Sequence, residues 1–364
     1  MKIATIVGTR PNFIKAAALI TEIKKHDVGH ILIHTGQHYD DKMSNLFFNE
    51  LGIPKPDVNL GIGPSTNENV MEEMRIKLKN ELKKHNPDLV IVVGDVNSTL
   101  AGAEAAHKLG IKVAHVEAGL RSFDMSMPEE FNRIETDKIS DFLFTTEKSG
   151  NRNLMNESID KKKIFFVGNV MIDTLLKHRE KAKSSKILQK LNLNKKNYCV
   201  LTLHRPSNVD NKENFENIIS MLEKIQEKIK IIFPAHPRTK KNISLFQLNQ
   251  KIKNMKNLII TEPLGYLDFL RLMANSKLVL TDSGGIQEET TVLGIPCITL
   301  RNNTERPITT EQGTNILVST DKNEVIESSL KVINIKIKLK NKIPDLWDGN
   351  AAKRIVDIIR EDFD

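Results

Sequence analysis

The 364-residue chain has two cysteines, Cys199 and Cys297, each in an apolar strand-like segment, and no CxxC pair. A cysteine-based zinc site or a disulfide framework is therefore not expected, and a reducing, cytoplasmic setting fits. One tryptophan and three tyrosines leave little for stacking on bases, and no RNA-binding signature is present, so no nucleic-acid partner is expected. No apolar run approaches the ~20 residues a membrane span needs. The opening Met1–Gly8 lacks the apolar length and small-residue cleavage site of a signal peptide and reads as a buried strand. No GxGxxG fingerprint occurs in a strand–turn–helix context, which argues against a tightly bound nicotinamide cofactor. Repeats and low-complexity tracts are also missing.

What is present is an ordinary globular composition, 39% hydrophobic and 27% charged, in a length that suggests two domains. The net charge of +8 comes from lysines that are scattered or gathered in 177–196 and 331–342, and reads as a solvated surface. Strand-length apolar runs alternate with helical-period segments, the pattern of parallel α/β sheets. The first set is Ile3–Val7, His30–His34, Leu89–Val93, Lys112–Val116, Phe142–Thr145 and Ile164–Val167. A polar stretch, 172–190, reads as the connection to a second set: Tyr198–Leu203, Lys230–Phe233, Leu258–Ile260, Leu278–Thr281, Cys297–Leu300 and Ile316–Val318. A helix over Pro11–Lys25 and a last amphipathic helix over Asn350–Arg360 are expected. The expected architecture is two doubly wound domains facing a cleft, 1–170 and 171–349, with ligands beyond the carboxyl ends of the strands.

The informative segments do follow strands. Gly8-Thr9-Arg10-Pro11-Asn12-Phe13-Ile14-Lys15 offers a tight turn, a helix N-terminus and two cations, and reads either as an anion site or as an ordinary turn with surface charge. Asp95 and Glu117 end very apolar strands, where an ionised carboxylate is costly unless it is paired or functional. Carboxylates converging in one site are what acid–base chemistry requires. Glu129 and Glu130 open a helix at Pro128, where the dipole alone would favour them. His204 and His236 also follow strands. Two such histidines without a third ligand do not make a metal site, and no metal is expected. Asp282-Ser283-Gly284-Gly285-Ile286-Gln287-Glu288-Glu289 runs from a strand into a helix through Ser-Gly-Gly, which suits a phosphate. Glu289 lies too far along to cap that helix and could accept hydrogen bonds from a ribose diol, and Arg306 adds a cation downstream.

Taken in order, GTRPNFIK, TGQHYD, VVGDVNSTLAG, HVEAGLRS, MPEEFNR, LHRPSN, TDSGGIQEE, NTERP and the closing Asp348-Gly349-Asn350-Ala351 resemble the non-hydrolysing UDP-N-acetylglucosamine 2-epimerase family over nearly the whole chain. The resemblance implies a GT-B-like pair of Rossmann-like domains, with 350–364 packed back on the first. It implies inversion at C2 of UDP-GlcNAc through elimination of UDP to 2-acetamidoglucal and re-addition. It assigns Asp95, Glu117, Glu129 and His204 to catalysis, and Arg10, Lys15, Ser283, Gly284, Gly285, Glu289 and Arg306 to UDP. It also implies a cytoplasmic homodimer with a UDP-sugar substrate, no cofactor and no membrane partner.

Gln37 and His236 match residues of an allosteric activator site in bacterial members. Asp40 and Pro206 depart from the bacterial pattern, where a glutamine and a second arginine stand. The QHYD version also resembles archaeal members and the branch acting on UDP-2,3-diacetamido-2,3-dideoxy-uronates. A hydrolysing relative, a GT-B glycosyltransferase and a non-catalytic sugar-nucleotide sensor are the rival readings.

Overall fold

The computed structural model describes residues 1–36, 41–63, 68–319, 321–334 and 342–363. The chain divides into two units, Met1–Lys177 with Asp345–Asp364, and His178–Pro344.

Unit 1 is built on seven parallel strands: β1 (Lys2–Val7), β2 (Gly29–His34), β3 (Val58–Asn59), β4 (Leu89–Val93), β5 (Lys112–Ala118), β6 (Phe142–Thr145) and β7 (Ile164–Phe166). Their order in the sheet is β3-β2-β1-β4-β5-β6-β7. The central strands are continuous apolar runs such as Leu-Val-Ile-Val-Val in β4, all buried, as expected where helices cover both faces of a parallel sheet. One face packs Ile3, Leu89, Ile91 and Val116 against the helices Arg10–Ile23 and Ala351–Phe363. The other packs Ala4, Ile6, Val90 and Val92 against Glu68–His85 and Asn97–His107.

Unit 2 repeats the plan with β8 (Tyr198–Thr202), β9 (Lys230–Pro234), β10 (Leu258–Thr261), β11 (Leu278–Thr281), β12 (Cys297–Leu300) and β13 (Asn315–Val318). All its pairings are parallel, in the order β10-β9-β8-β11-β12-β13. Each sheet therefore reverses its winding once, between β1 and β4 in unit 1 and between β8 and β11 in unit 2. Ligands of doubly wound sheets bind at such switch points.

The stretch 172–190 is less of a bare connection than its lysines suggest. It continues the helix Val170–Ala182, in which Val170, Met171, Ile172 and Leu175 are buried and Val170 joins the core of unit 1. The last helix belongs to unit 1 as expected. Its first free N–H groups, of Ala351 and Ala352, donate to the Asp173 carboxylate at 3.2 and 2.7 Å. Buried Trp347 donates to the Thr146 carbonyl at 2.9 Å. Among the described residues, no helix is long and apolar enough to cross a membrane.

Candidate active site

In unit 1 the switch point is organised by Asn12. Its Oδ1 accepts the N–H groups of Gly8 and Thr9 at 3.1 and 3.2 Å, and its Nδ2 donates to the Val93 carbonyl at 2.8 Å. The turn after β1 is thus tied to the end of β4. One turn along the helix, Lys15 is buried with its Nζ 2.6 Å from Glu117 Oε2. Arg10 stands at the start of the helix with its guanidinium carbon 5.7 Å from the centre of the Phe47 ring.

Glu117 is 1% exposed and sits near the end of β5 at a φ of +79°. The register with β6 shifts between Val116 and Ala118, so Glu117 occupies a bulge that re-aims its side chain. A left-handed conformation in a non-glycine residue costs on the order of 1–3 kcal/mol, and such outliers gather at functional sites. Asp95 follows the neighbouring strand β4, and its Oδ2 lies 2.7 Å from Arg133 Nη2. Arg133 also pairs with Glu130 three residues earlier on the helix Pro128–Ile139. Glu130 is buried and accepts from the Ser122 and Phe123 N–H groups at 3.0 and 2.9 Å. Asp95 just past β4 and Glu117 near the end of β5 thus stand at the ends of adjacent strands, each beside a buried cation. Glu129, one residue before Glu130, is exposed in the helix's first turn.

In unit 2, β8 leads to His204 and β11 leads to Asp282. The His204 Nδ1 lies 2.6 Å from Asp282 Oδ1, with the ring 60% exposed and the carboxylate fully buried. Asp282 also accepts from the backbone N–H of His204 and Arg205 and from Asn208 Nδ2. Burial pushes its carboxyl up, but the charge and hydrogen bond of His204 and the two backbone donors outweigh this and bring it down to about 2. An ionised Asp282 obliges Nδ1 to donate, which leaves Nε2 as the basic nitrogen of the ring.

Ser283 stands at the N-cap position of the helix Gly284–Leu293 without a side-chain capping bond, and the first turn carries Gly284 and Gly285. A β-carbon at Gly284 would lie 2.6 Å from both Arg306 Nη1 and Glu305 Oε1, so only glycine leaves that N-terminus open. Arg306 is buried between two carboxylates, 2.7 Å from Glu288 Oε1 and 2.5 Å from Glu305 Oε1. Glu289 is buried and accepts from the Tyr266 hydroxyl at 3.1 Å. Burial raises its carboxyl to about 7, the Tyr266 hydrogen bond pulling it down and the charge of Glu288 adding to the rise.

His236 is exposed and caps the helix Pro237–Leu245, its Nδ1 accepting from Arg238 N–H at 3.2 Å. Gln37, with Asp40, lies outside the described residues. The sequence reading passed over Arg133, Asp282 and Tyr266, and treated Glu130 as helix-end charge. Asp282 carried a usable signal, since it is an acid at the end of an apolar strand, as Asp95 is. Among the described residues, no group of three or more His, Cys, Asp or Glu side chains is arranged to hold a metal ion.

Two Rossmann-like units, each with charged side chains gathered where its sheet reverses winding, define a protein of the GT-B-like class. Within that class, residues 21–360 match the UDP-N-acetylglucosamine 2-epimerase model, and the chain belongs to that family. It is 49% identical, over 99% of both chains, to a UDP-N-acetylglucosamine 2-epimerase homolog of Methanococcus maripaludis. The crystal structure of Methanocaldococcus jannaschii UDP-GlcNAc 2-epimerase in complex with UDP-GlcNAc and UDP is 46% identical to it, with a TM-score of 0.93 over 99% of this chain and 100% of that one. It is also 39% identical, over 99% of both chains, to the UDP-2,3-diacetamido-2,3-dideoxy-D-glucuronate 2-epimerase of Pseudomonas aeruginosa.

Proposed function

We propose that this protein interconverts UDP-GlcNAc and UDP-ManNAc by inverting C2 of the sugar, without releasing free sugar. The observation that carries the reading is the pair of carboxylates at the ends of adjacent strands, Asp95 beside Arg133 and Glu117 beside Lys15. The C2 proton adjoins no carbonyl and is poorly acidic, so removing it needs a concerted outlet for charge. That outlet is the C1–O bond. As a carboxylate takes the C2 proton, the C1–C2 double bond forms and the C1–O electron pair leaves on UDP. A proton is then delivered to the other face of C2, and the UDP oxygen adds back to C1. Protons must arrive and leave on opposite faces, which requires more than one acid–base group. Asp95 and Glu117 serve this role, with Glu129 and His204 as further candidates.

The leaving diphosphate needs donors matched to its developing charge. The hydroxyl of Ser283 and the N–H groups of Gly284 and Gly285, with Arg10 and Arg306, supply them, and Glu289 takes the ribose diol. Lys15 has a second duty, since its charge is already engaged by Glu117. The protein acts as a cytoplasmic homodimer. A second reading, C2 inversion of the diacetamido uronate, rests on the likeness to the Pseudomonas relative.

The test is proton NMR of the purified protein with UDP-GlcNAc in D2O. UDP-ManNAc carrying deuterium at C2, with UDP still attached, is the expected product. Free ManNAc and UDP would overturn the non-hydrolysing reading. Turnover of the uronate alone would establish the second reading in place of the first.

A further inference from the structure

We infer that Asp137 is a positioning residue for both carboxylates, holding through His115, Gly94 and Gly119 the strand ends from which Asp95 and Glu117 project. The inference rests on the reading of those two residues as the acid–base groups of the proposed reaction.

Asp137 and His115 are both fully buried, on the helix Pro128–Ile139 and on β5. Asp137 Oδ1 is 2.6 Å from His115 Nδ1, and His115 Nε2 is 2.8 Å from the Gly94 carbonyl oxygen. The other carboxylate oxygen, Oδ2, accepts the Gly119 N–H at 3.1 Å and lies 2.7 Å from Arg121 Nη2. Glu157 holds the Arg121 guanidinium from its other edge, with Nε donating to Oε1 and Nη2 to Oε2, each at 2.7 Å. One carboxylate therefore fixes β5 two residues before Glu117 and the chain two residues after it. Through the imidazole it also fixes the carbonyl immediately before Asp95. Gly119, at a φ of +76°, packs so closely that a β-carbon there would lie 2.5 Å from the Gly150 carbonyl oxygen.

The bonding pattern also sets the protonation of the network. A carbonyl oxygen only accepts, so His115 Nε2 donates to Gly94. Burial pushes the Asp137 carboxyl up, but His115 and then Arg121 outweigh it and hold the group below its usual range. The ring thus bridges Asp137 and the Gly94 carbonyl, and Asp137 joins a buried row with Arg121 and Glu157. Apolar side chains often fill such a volume with no loss of stability, so stability alone gives little reason for this buried row. Rigid placement of a strained Glu117 does give one, because a small misplacement of a reacting group lowers turnover steeply.

The experiment compares Asp137→Asn with wild type in turnover, KM, calorimetric UDP affinity and melting temperature. The expected result is a kcat lower by about 100-fold, with KM and UDP affinity changed by less than about threefold. A folded variant with wild-type kcat, or one in which kcat and UDP affinity fall together, overturns the inference. Should Asp137→Asn not fold, His115→Gln, which keeps one amide donor, carries the same expectation.

Two readouts do not depend on turnover. In histidine-selective 15N spectra of wild type, His115 Nε2 is expected to carry a proton, and an unprotonated Nε2 overturns the assignment. The Gly119 amide is expected to exchange faster in Asp137→Ala, and unchanged exchange overturns it. If wild type turns over neither UDP-GlcNAc nor the uronate, the proposed reaction fails, while these two signals still decide whether Asp137 holds the strand ends.

Discussion

Glu288 and Glu289 are consecutive buried carboxylates with different partners: Glu288 faces the Arg306 guanidinium and Glu289 faces only the hydroxyl of Tyr266 among the contacts described. Burial brings Glu289 to about 7 from 4.5, so the unliganded fold favours its neutral form. The stability it adds is fully present below 4.5 and is lost as pH rises through about 7. A ribose diol donates to a carboxylate better than to a neutral acid, so UDP binding at pH 6 should expel the Glu289 proton. UDP affinity should accordingly rise with pH up to about 7 and level off above it. Calorimetry at pH 6 in buffers of different ionisation enthalpy counts the protons released. Because the UDP phosphate titrates in the same range, Glu289→Gln provides the baseline. An equal proton count in wild type and variant would remove Glu289 from ribose binding.

At the scale of elements, most strands could be read directly because a strand covered on both faces is an unbroken apolar run. β3 could not, since its two residues, Val58 and Asn59, form no run and take their conformation from pairing with β2. The acids at strand ends were legible for a related reason: Asp95 and Glu117 interrupt apolar sequence. Glu129 and Glu130 were not separable, because adjacent residues at a helix start point in different directions, and local sequence does not say which faces inward. The C-terminal helix was legible from its apolar face, but the carboxylate that caps it lies far away in the chain, at Asp173. Burial raises Asp173 from 3.8 to about 6, the two backbone donors and Arg354 lowering it and Asp348 raising it. Its contribution is therefore present below 3.8 and lost as pH rises through about 6. Wild type should lose stability relative to Asp173→Asn over that interval. Asp173→Ala, which removes the cap, should cost about 1 kcal/mol. Urea titrations at pH 4.5 and 7, followed by the fluorescence of Trp347, the only tryptophan, measure both effects beside the helix concerned. A constant difference between wild type and Asp173→Asn across the two pH values would contradict the first.

At the scale of the molecule, the proposed roles fall on two sheets with separate cores. The carboxylates proposed for proton transfer belong to unit 1, and the donors proposed for the diphosphate, Arg10 excepted, belong to unit 2. If that division is real, substitutions in the two units should register in different constants. Asp95→Asn removes a proton-transfer group and should lower kcat by about 100- to 10,000-fold, with UDP affinity nearly unchanged. Gly284→Ala sets a β-carbon 2.6 Å from Arg306 Nη1 at the helix N-terminus and should weaken UDP binding. About tenfold is expected, close to 1.4 kcal/mol, with a much smaller change in kcat at saturating substrate. The double variant should show both losses, each in its own constant. Calorimetry with UDP and initial rates over a substrate series separate the two. A large drop in UDP affinity for Asp95→Asn would mean that the carboxylate orders the nucleotide and not only the proton, and the division would have to be redrawn. A Gly284→Ala protein with wild-type UDP affinity would move the diphosphate away from the helix that begins at Gly284.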